Sequence, residues 1–440
     1  MKPIRRARKL WATLRVQLWL IPGAAAIFTF LLARVLVEVD RVWIEQHDAW
    51  FLFQGTSSGA RELVSTIASA MITFTGVVFS ITVLVLQLAS GQFSPRVLRS
   101  LLGDRHTQAA MATFVGTFVF ALGLLLSIRG SSDDVQALVP ALSVFVAFAF
   151  VLVSVGVFIL YIHHISHSVR AITIITRIGD ETRHTIEGMF PDVARGADDE
   201  DEPASNPEAR DAAPAIVRST DRGALARVNS SRLFELACKH DALVELIPMV
   251  GDFVPYDAPV LRYWPAERTE VACALDALVF ESERAPDQDP MFGIRQLVDI
   301  AQRALSPGVN DPSTAVQVLD AIHDLLRMLS RREFPDPVRV DQDGVPRLIL
   351  HRPSWDAFTH LALDEIREAG AGSSQVVRRL YALIDDCIAY APVSRHAPLR
   401  VQRALLEAAA HEAAPQATDG ARRPARVVSE TSARETAHRA

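Results

Sequence analysis

Four apolar runs in the first third of the chain, roughly residues 18–37, 65–89, 110–128 and 137–162, do most to limit what this sequence can fold into. Each spans about 19 to 26 residues, enough at 1.5 Å of helical rise per residue to cross a hydrocarbon core about 30 Å thick. Lipid offers no partner for a backbone N–H or C=O, so each run must close its own hydrogen bonds as a helix. The first run follows Lys2, Arg5, Arg6, Arg8 and Lys9, as the core of a signal peptide would. It exceeds the ~7–15 residues of such a core and ends at Arg34 and Glu38 without a small-residue cleavage site, so it is expected to stay as a span.

Flanking charge predicts the orientation. The arm at residues 1–17 is basic, the connector at 90–109 carries Arg96, Arg99 and Arg105, and Arg170, Arg177 and Arg183 follow the fourth run. The first connector leans acidic, with Glu38, Asp40, Glu45, Asp48 and Glu62, and the third, around Ser131 to Asp134, holds only Arg129. The positive-inside rule then puts both termini in the cytoplasm. Half of the 440 residues are hydrophobic and 22% charged, an average over a part made for lipid and a part made for water. A net charge of −6 speaks against nucleic acid as a partner. Cys238, Cys273 and Cys387 lie too far apart for a zinc ribbon or a disulfide framework.

Within the second run, Thr66, Ser69, Thr73, Gly76, Ser80 and Gln87 recur at steps of three and four, interrupted by Val83, and share one helical face. Such a stripe serves either close helix packing or a water-lined path in which hydroxyls and an amide replace part of an ion's hydration shell. In the second case the Ile72, Phe79 and Leu86 side would meet lipid. Ser94 and Pro95 read as the cap and first residue of a short interfacial helix through Leu102. His163, His164 and His167 sit at the inner end of the fourth run. His163 and His167 are one turn apart and are weak metal-ligand candidates, because no carboxylate completes the set before Asp180; packing and pH sensing are the other readings. No acid lies deep in a span and no span carries a row of arginines, against a carboxylate proton relay or a voltage sensor.

A helical extension is predicted over 169–190, then an acidic linker over 191–213 that includes five consecutive acids from Asp198 to Glu202. The water-soluble region over 214–412 reads as an α+β domain, and 413–440 as a disordered tail. Its first part shows short strand signals. The segment from Gly251 to Leu261 resembles the turn of lipoyl or barrel-sandwich modules, with Asp257 where glycine is usual, which implies a small β-barrel ahead of a helical bundle. Downstream, Ile294, Leu297, Val298, Ala301 and Leu305 keep helical spacing, Ser306-Pro307-Gly308 ends that helix, and Asp311-Pro312 opens the next. Arg295, Gln296, Asp299, Arg303, Asn310 and Asp311 around this hairpin are candidates for a polar or anion-binding site, with a hydrogen-bonded turn as the plainer reading. Val338–Val340 and Arg347–Leu350 flank Asp343-Gly344 as a hairpin. No GxSxG, Walker A, HExxH, GxGxxG or CxxC pattern occurs, so neither an enzyme nor a cofactor is expected.

The stretch from Gln87 to Arg96, together with His163-His164 and the segment from Phe292 to Pro312, resembles a bacterial family of predicted membrane proteins filed as a domain of unknown function. The resemblance implies four membrane helices and a cytoplasmic C-terminal domain in the inner membrane. Two roles follow as expectations. The first is a homo-oligomeric conduit for ions or small solutes, lined by the second-span stripe and gated or assembled by the C-terminal domain. The alternative is a membrane-anchored sensor or scaffold working through the Arg295–Asn310 region.

Overall fold

The computed structural model describes residues 20–43, 56–92, 105–128, 140–168, 170–192, 213–266 and 274–418. The basic arm, the interfacial helix expected after Ser94, most of the acidic stretch and residues 419–440 lie outside the described residues. Two compact units meet in sequence between Ile174 and Ile175.

The N-terminal unit consists of α1 (Leu20–Trp43), α2 (Ser57–Gln92), α3 (Arg105–Leu125) and α4 (Ala141–Ser168). All four are long and apolar enough to cross a membrane. The helix α3 is central, packing on α1, α2 and α4. Its Gly116 and Gly123, seven residues apart, meet α1: a Cβ at either would lie 3.2 Å from Thr29 Cγ2 or 3.1 Å from Ala33 Cβ. Small residues let the two backbones approach, which is how helices gain contact where no water drives them together. Phe74, Phe114 and Phe158 cluster between α2, α3 and α4, with centroids 4.8 to 6.3 Å apart. Hydroxyls find partners across helices, Thr117 with Ser154 at 3.2 Å and Thr82 with Tyr161 at 3.1 Å.

Among the described residues of this unit, one acid is fully buried. Asp40, in the last turn of α1, accepts hydrogen bonds from Leu142 N (3.0 Å), Ser143 N (2.9 Å) and Ser143 Oγ. It therefore caps α4 from another helix, satisfying N–H groups that have no intrahelical partner. Arg61, near the start of α2, donates to the Ile128 carbonyl just past α3 at 2.8 Å, the matching arrangement at a helix C-terminus.

The C-terminal unit begins within α5 (Ala171–Met189), whose Ile175, Ile178, Thr182 and Ile186, with Phe190 just past its end, are buried at steps of three and four. Gly293 makes room for the Thr182 side chain, Arg183 pairs with Asp324, and Phe190 packs on Phe334 (5.0 Å) and Phe358 (5.9 Å). So the expected extension of the fourth span is a core element of this unit. The acidic stretch accordingly falls inside the unit in sequence and does not mark its border. Composition put the border at the charged run; the apolar face of α5, which needs burial, moves it upstream.

The strands β1 (Ala215–Arg218), β2 (Gly223–Val228), β3 (Leu243–Leu246), β4 (Phe253–Val254), β5 (Pro259–Trp264), β6 (Leu278–Glu281), β7 (Val338–Val340) and β8 (Pro346–Leu350) form two sheets, with α6 (Ser230–Lys239) between β2 and β3. The larger runs β1-β5-β3-β8-β7 and the smaller β4-β2-β6. Neither closes, so the small β-barrel expected from the Gly251–Leu261 turn is replaced by two open sheets around a shared apolar cluster that includes Val217, Leu225, Val244 and Leu261. The reason is long-range pairing. After β3 the sheet recruits β8, in parallel register, and ends on the β7–β8 hairpin without returning to β1. At the turn itself, Asp257 has φ +60°, the left-handed conformation that glycine adopts without penalty and that aspartate tolerates better than most residues.

A helical bundle completes the unit: α7 (Pro290–Leu305), α8 (Pro312–Leu329), α9 (Trp355–Gly370), α10 (Ser374–Tyr390) and α11 (His396–Thr418). The α7–α8 hairpin holds Leu297, Ala301, Leu319 and Ile322 in its core.

Candidate functional site

The α2 stripe faces away from the rest of its own bundle. Ala60, Val64, Ile67, Ala68, Met71 and Val78 are the buried side, while Thr66, Ser69, Thr73, Gly76, Ser80 and Gln87, on the opposite side of the helix, are all exposed. A Cβ added at Gly76 would meet nothing within 4 Å among the described residues, so the helix surface is open at that point. Thr66 and Thr73 donate their hydroxyl protons to the carbonyls of Glu62 and Ser69, each at 2.9 Å. A hydroxyl bonded this way keeps acceptor capacity on its oxygen. Ile72 and Phe79 are exposed on the flank of the same outward half.

Of the six residues of the α7–α8 hairpin, Arg295 and Asp299 are paired on α7, while Asn310 and Asp311 stand in the turn that follows. Arg295 directs Nε to Asp299 (2.7 Å) and both Nη atoms to the Glu365 carboxylate on α9, so the guanidinium edge is spent on tying two helices together. The bond to Glu365, more than any other contact, raises its pKa above the ordinary arginine value. Gln296 is buried and Arg303 lies in the last turn of α7. Asn310 and Asp311 sit in the turn beyond Leu305, about 15 Å along the helix axis from Arg295. Asn310 has φ +49°. Asp311 accepts from Ser313 N, Thr314 N (both 3.1 Å) and Thr314 Oγ1 (2.6 Å), capping α8.

The Thr314 hydroxyl is the main reason that the Asp311 carboxyl is held below its usual range. Its folded-state pKa being the lower one, the stabilisation is present above the unfolded value of about 3.9 and is lost as pH falls through the folded value. Asp311→Ala should cost about 1–2 kcal/mol at pH 7 in denaturant titration. The gap from the unmodified protein should narrow as pH drops below about 4, and a gap independent of pH would rule out this cap as its source.

Among the histidines, His164 of α4 stacks on His106 of α3 at 4.2 Å between centroids. The side chains of His163 and His164 are described and that of His167 is not. Among the described residues no group of three or more His, Cys, Asp or Glu side chains is gathered as a metal site. In the helical bundle His323 is hydrogen-bonded to Asp386 (2.8 Å) and His360 to Asp364 (2.9 Å). Arg379 can only donate, so His323 Nδ1 accepts from it (2.9 Å) and Nε2–H is directed at Asp386. The adjacent Cys387 is fully buried, and desolvation pushes its thiol up to about 12, which keeps it protonated and unreactive.

The family described as "Predicted membrane protein (DUF2254)" matches residues 15–386. An uncharacterized protein of Mycobacterium tuberculosis strain H37Rv, Rv1290c, is 31% identical over 427 residues, covering 92% of this chain and 78% of its own length. An uncharacterized protein of Mycobacterium bovis, Mb1321c, matches to the same extent. No solved structure matches this chain.

Proposed function

This chain belongs to the DUF2254 family of predicted membrane proteins, and from that starting point we propose that copies of it associate through the outward face of α2 to form a conduit for ions or small solutes. The observation that supports this is the exposure of Thr66, Ser69, Thr73, Gly76, Ser80 and Gln87 opposite the buried side of α2. Facing lipid, Gln87 and the uncommitted oxygens of this stripe would lose hydration without compensation. Facing the same stripe on neighbouring copies, they enclose a polar path. Hydroxyl oxygens whose protons are already given to backbone carbonyls present lone pairs, which favours cations. The conduit lies in a bacterial inner membrane with both termini cytoplasmic, following the basic residues that flank the spans. Four spans are few for a single-chain transporter built from internal repeats, which also favours assembly.

The rival role, a sensor or scaffold working through Arg295, has less support because Asp299 and Glu365 already occupy that guanidinium. Single cysteines placed along residues 66–87, in a background lacking the native three, test the proposal in intact membranes. A membrane-impermeant thiol reagent should label positions 66, 69, 73, 76 and 80 and spare 72 and 79. Protection at every position would overturn the conduit. In liposomes, Thr73→Leu and Ser80→Leu should each lower ion flux while leaving the amount of inserted protein unchanged.

A further inference from the structure

At the end of the bundle where α1 finishes and α2 starts, the charged residues described within the candidate spans are Arg34, Glu38, Asp40, Arg41, Arg61 and Glu62. Most of them are answered inside the chain. Glu38 pairs with Arg41 at 3.1 Å. Asp40 caps α4, and Arg61 donates to the Ile128 carbonyl. Arg34 and Glu62 are left. They are opposite in sign, both are exposed, and neither side chain has a hydrogen bond or ion pair among the described residues.

Contacts with α3 give the depth of each. On α1, Ala33 and Thr29 face Gly123 and Gly116. On α2, Arg61 reaches the Ile128 carbonyl and Phe74 packs on Phe114 at 5.8 Å between centroids. Counting helical rise from these contacts, Arg34 and Glu62 lie within about 5 Å of one another along the bundle, less than one turn. They stand on different flanks of it, because α1 and α2 both pack on α3 and α4 with no comparable contact between themselves.

Arg34 shares its exposed face with Ile27, Leu31 and Glu38, so it emerges from a largely apolar surface. An ionisable side chain on such a surface within a span is costly to leave alone and is found paired with an opposite charge. Glu62 continues the line of Thr66, Ser69 and Thr73, and so stands at the end of the α2 stripe. A lipid phosphate would answer Arg34 and leave Glu62 unanswered. A second copy answers both, since every chain carries the arginine on one flank and the acid on the other at matched depth.

We propose that Arg34 of one copy pairs with Glu62 of the next, placing α1 of each copy beside α2 of its neighbour. This rests on the association of copies proposed above and adds which helices meet. Two different patches meet in such a contact, so it repeats from copy to copy and closes as a ring where the rotation allows.

Full-length chains carrying two different tags are expressed together, solubilised in mild detergent and captured by one tag, and the other tag is measured. Arg34→Glu in both chains, or Glu62→Arg in both, should lower co-purification about tenfold or more. A chain with both changes regains opposite charges across the contact and should associate with itself at the unmodified level. It should not associate with the unmodified chain, because like charges would then face each other at both positions. The two chains have the same net charge, so total charge does not account for that exclusion, and a pair closed inside each chain would let them mix. If Arg34→Glu is not inserted, Arg34→Gln and Glu62→Gln remove the attraction without adding repulsion, and each should still weaken co-purification. Loss in the Arg34 variants alone would assign that arginine to a lipid head group and overturn the pair. Full association in every variant, or mixing of the doubly changed and unmodified chains, would overturn it as well. Unmodified chains that fail to co-purify would overturn the association itself, and the conduit with it.

Discussion

Asp40→Ala is expected to lower the stability of the helical N-terminal unit by about 3 kcal/mol or more, among the largest effects of any single side chain. Three donors would lose their acceptor together: Leu142 N, Ser143 N and Ser143 Oγ. All three belong to the first turn of α4, and Asp40 is 0% exposed, so water cannot replace it without opening the bundle. The carboxylate also sits at the positive end of the α4 dipole. Asp40→Asn keeps an acceptor oxygen and should restore part of the loss. The measurement is the temperature at which purified protein ceases to elute as a single species from size exclusion in detergent. Equal midpoints for the unmodified protein and the Asp40→Ala variant would show that α4 is held by its apolar packing alone.

Gly293→Ala should destabilise the C-terminal unit by about 1–3 kcal/mol, the range for forcing atoms into a close-packed crossing. A Cβ at this position would overlap the Thr182 side chain, which is buried and bonded through Oγ1 to the Ile178 carbonyl at 2.6 Å. Both residues lie within helices, so relief requires moving α5 away from α7. Thr182→Gly in the same chain removes the obstructing atoms and should recover part of the stability. That coupling is the diagnostic result. Additive losses in the double variant would mean that the helices do not cross at Gly293.

Much of the chain was legible in its residues. Span length is a local property, and the four apolar runs became four helices of sufficient length because lipid leaves a backbone no other choice. The α7–α8 hairpin was legible for the same reason: Asp311-Pro312 carries cap geometry within a few residues of the helix it starts. The stripe on α2 was legible as a face, though its direction was not, since only packing on α3 decides which side of α2 is covered. Arg295 was visible as a charged residue near a turn, but Glu365, 70 positions away, is what takes up its guanidinium.

Asp40 shows the limit most clearly. In the sequence it is one of several acids at the end of the first run, and nothing near it distinguishes it from Glu38. Its partners stand 102 and 103 residues later, so its burial and its capping role exist only once α1 and α4 lie side by side. The same holds for the open sheets, which depend on β8 joining β3 across about a hundred residues, and for α5, whose apolar face is answered by α7 and α8. The sequence alone determined the number of spans, the helix hairpin and its caps, because periodicity, length and capping act over a few turns. Tertiary structure decided where α5 belongs, which face of α2 is free, and that Glu365 takes up the Arg295 guanidinium. Those depend on the charges and surfaces brought together by distant parts of the chain.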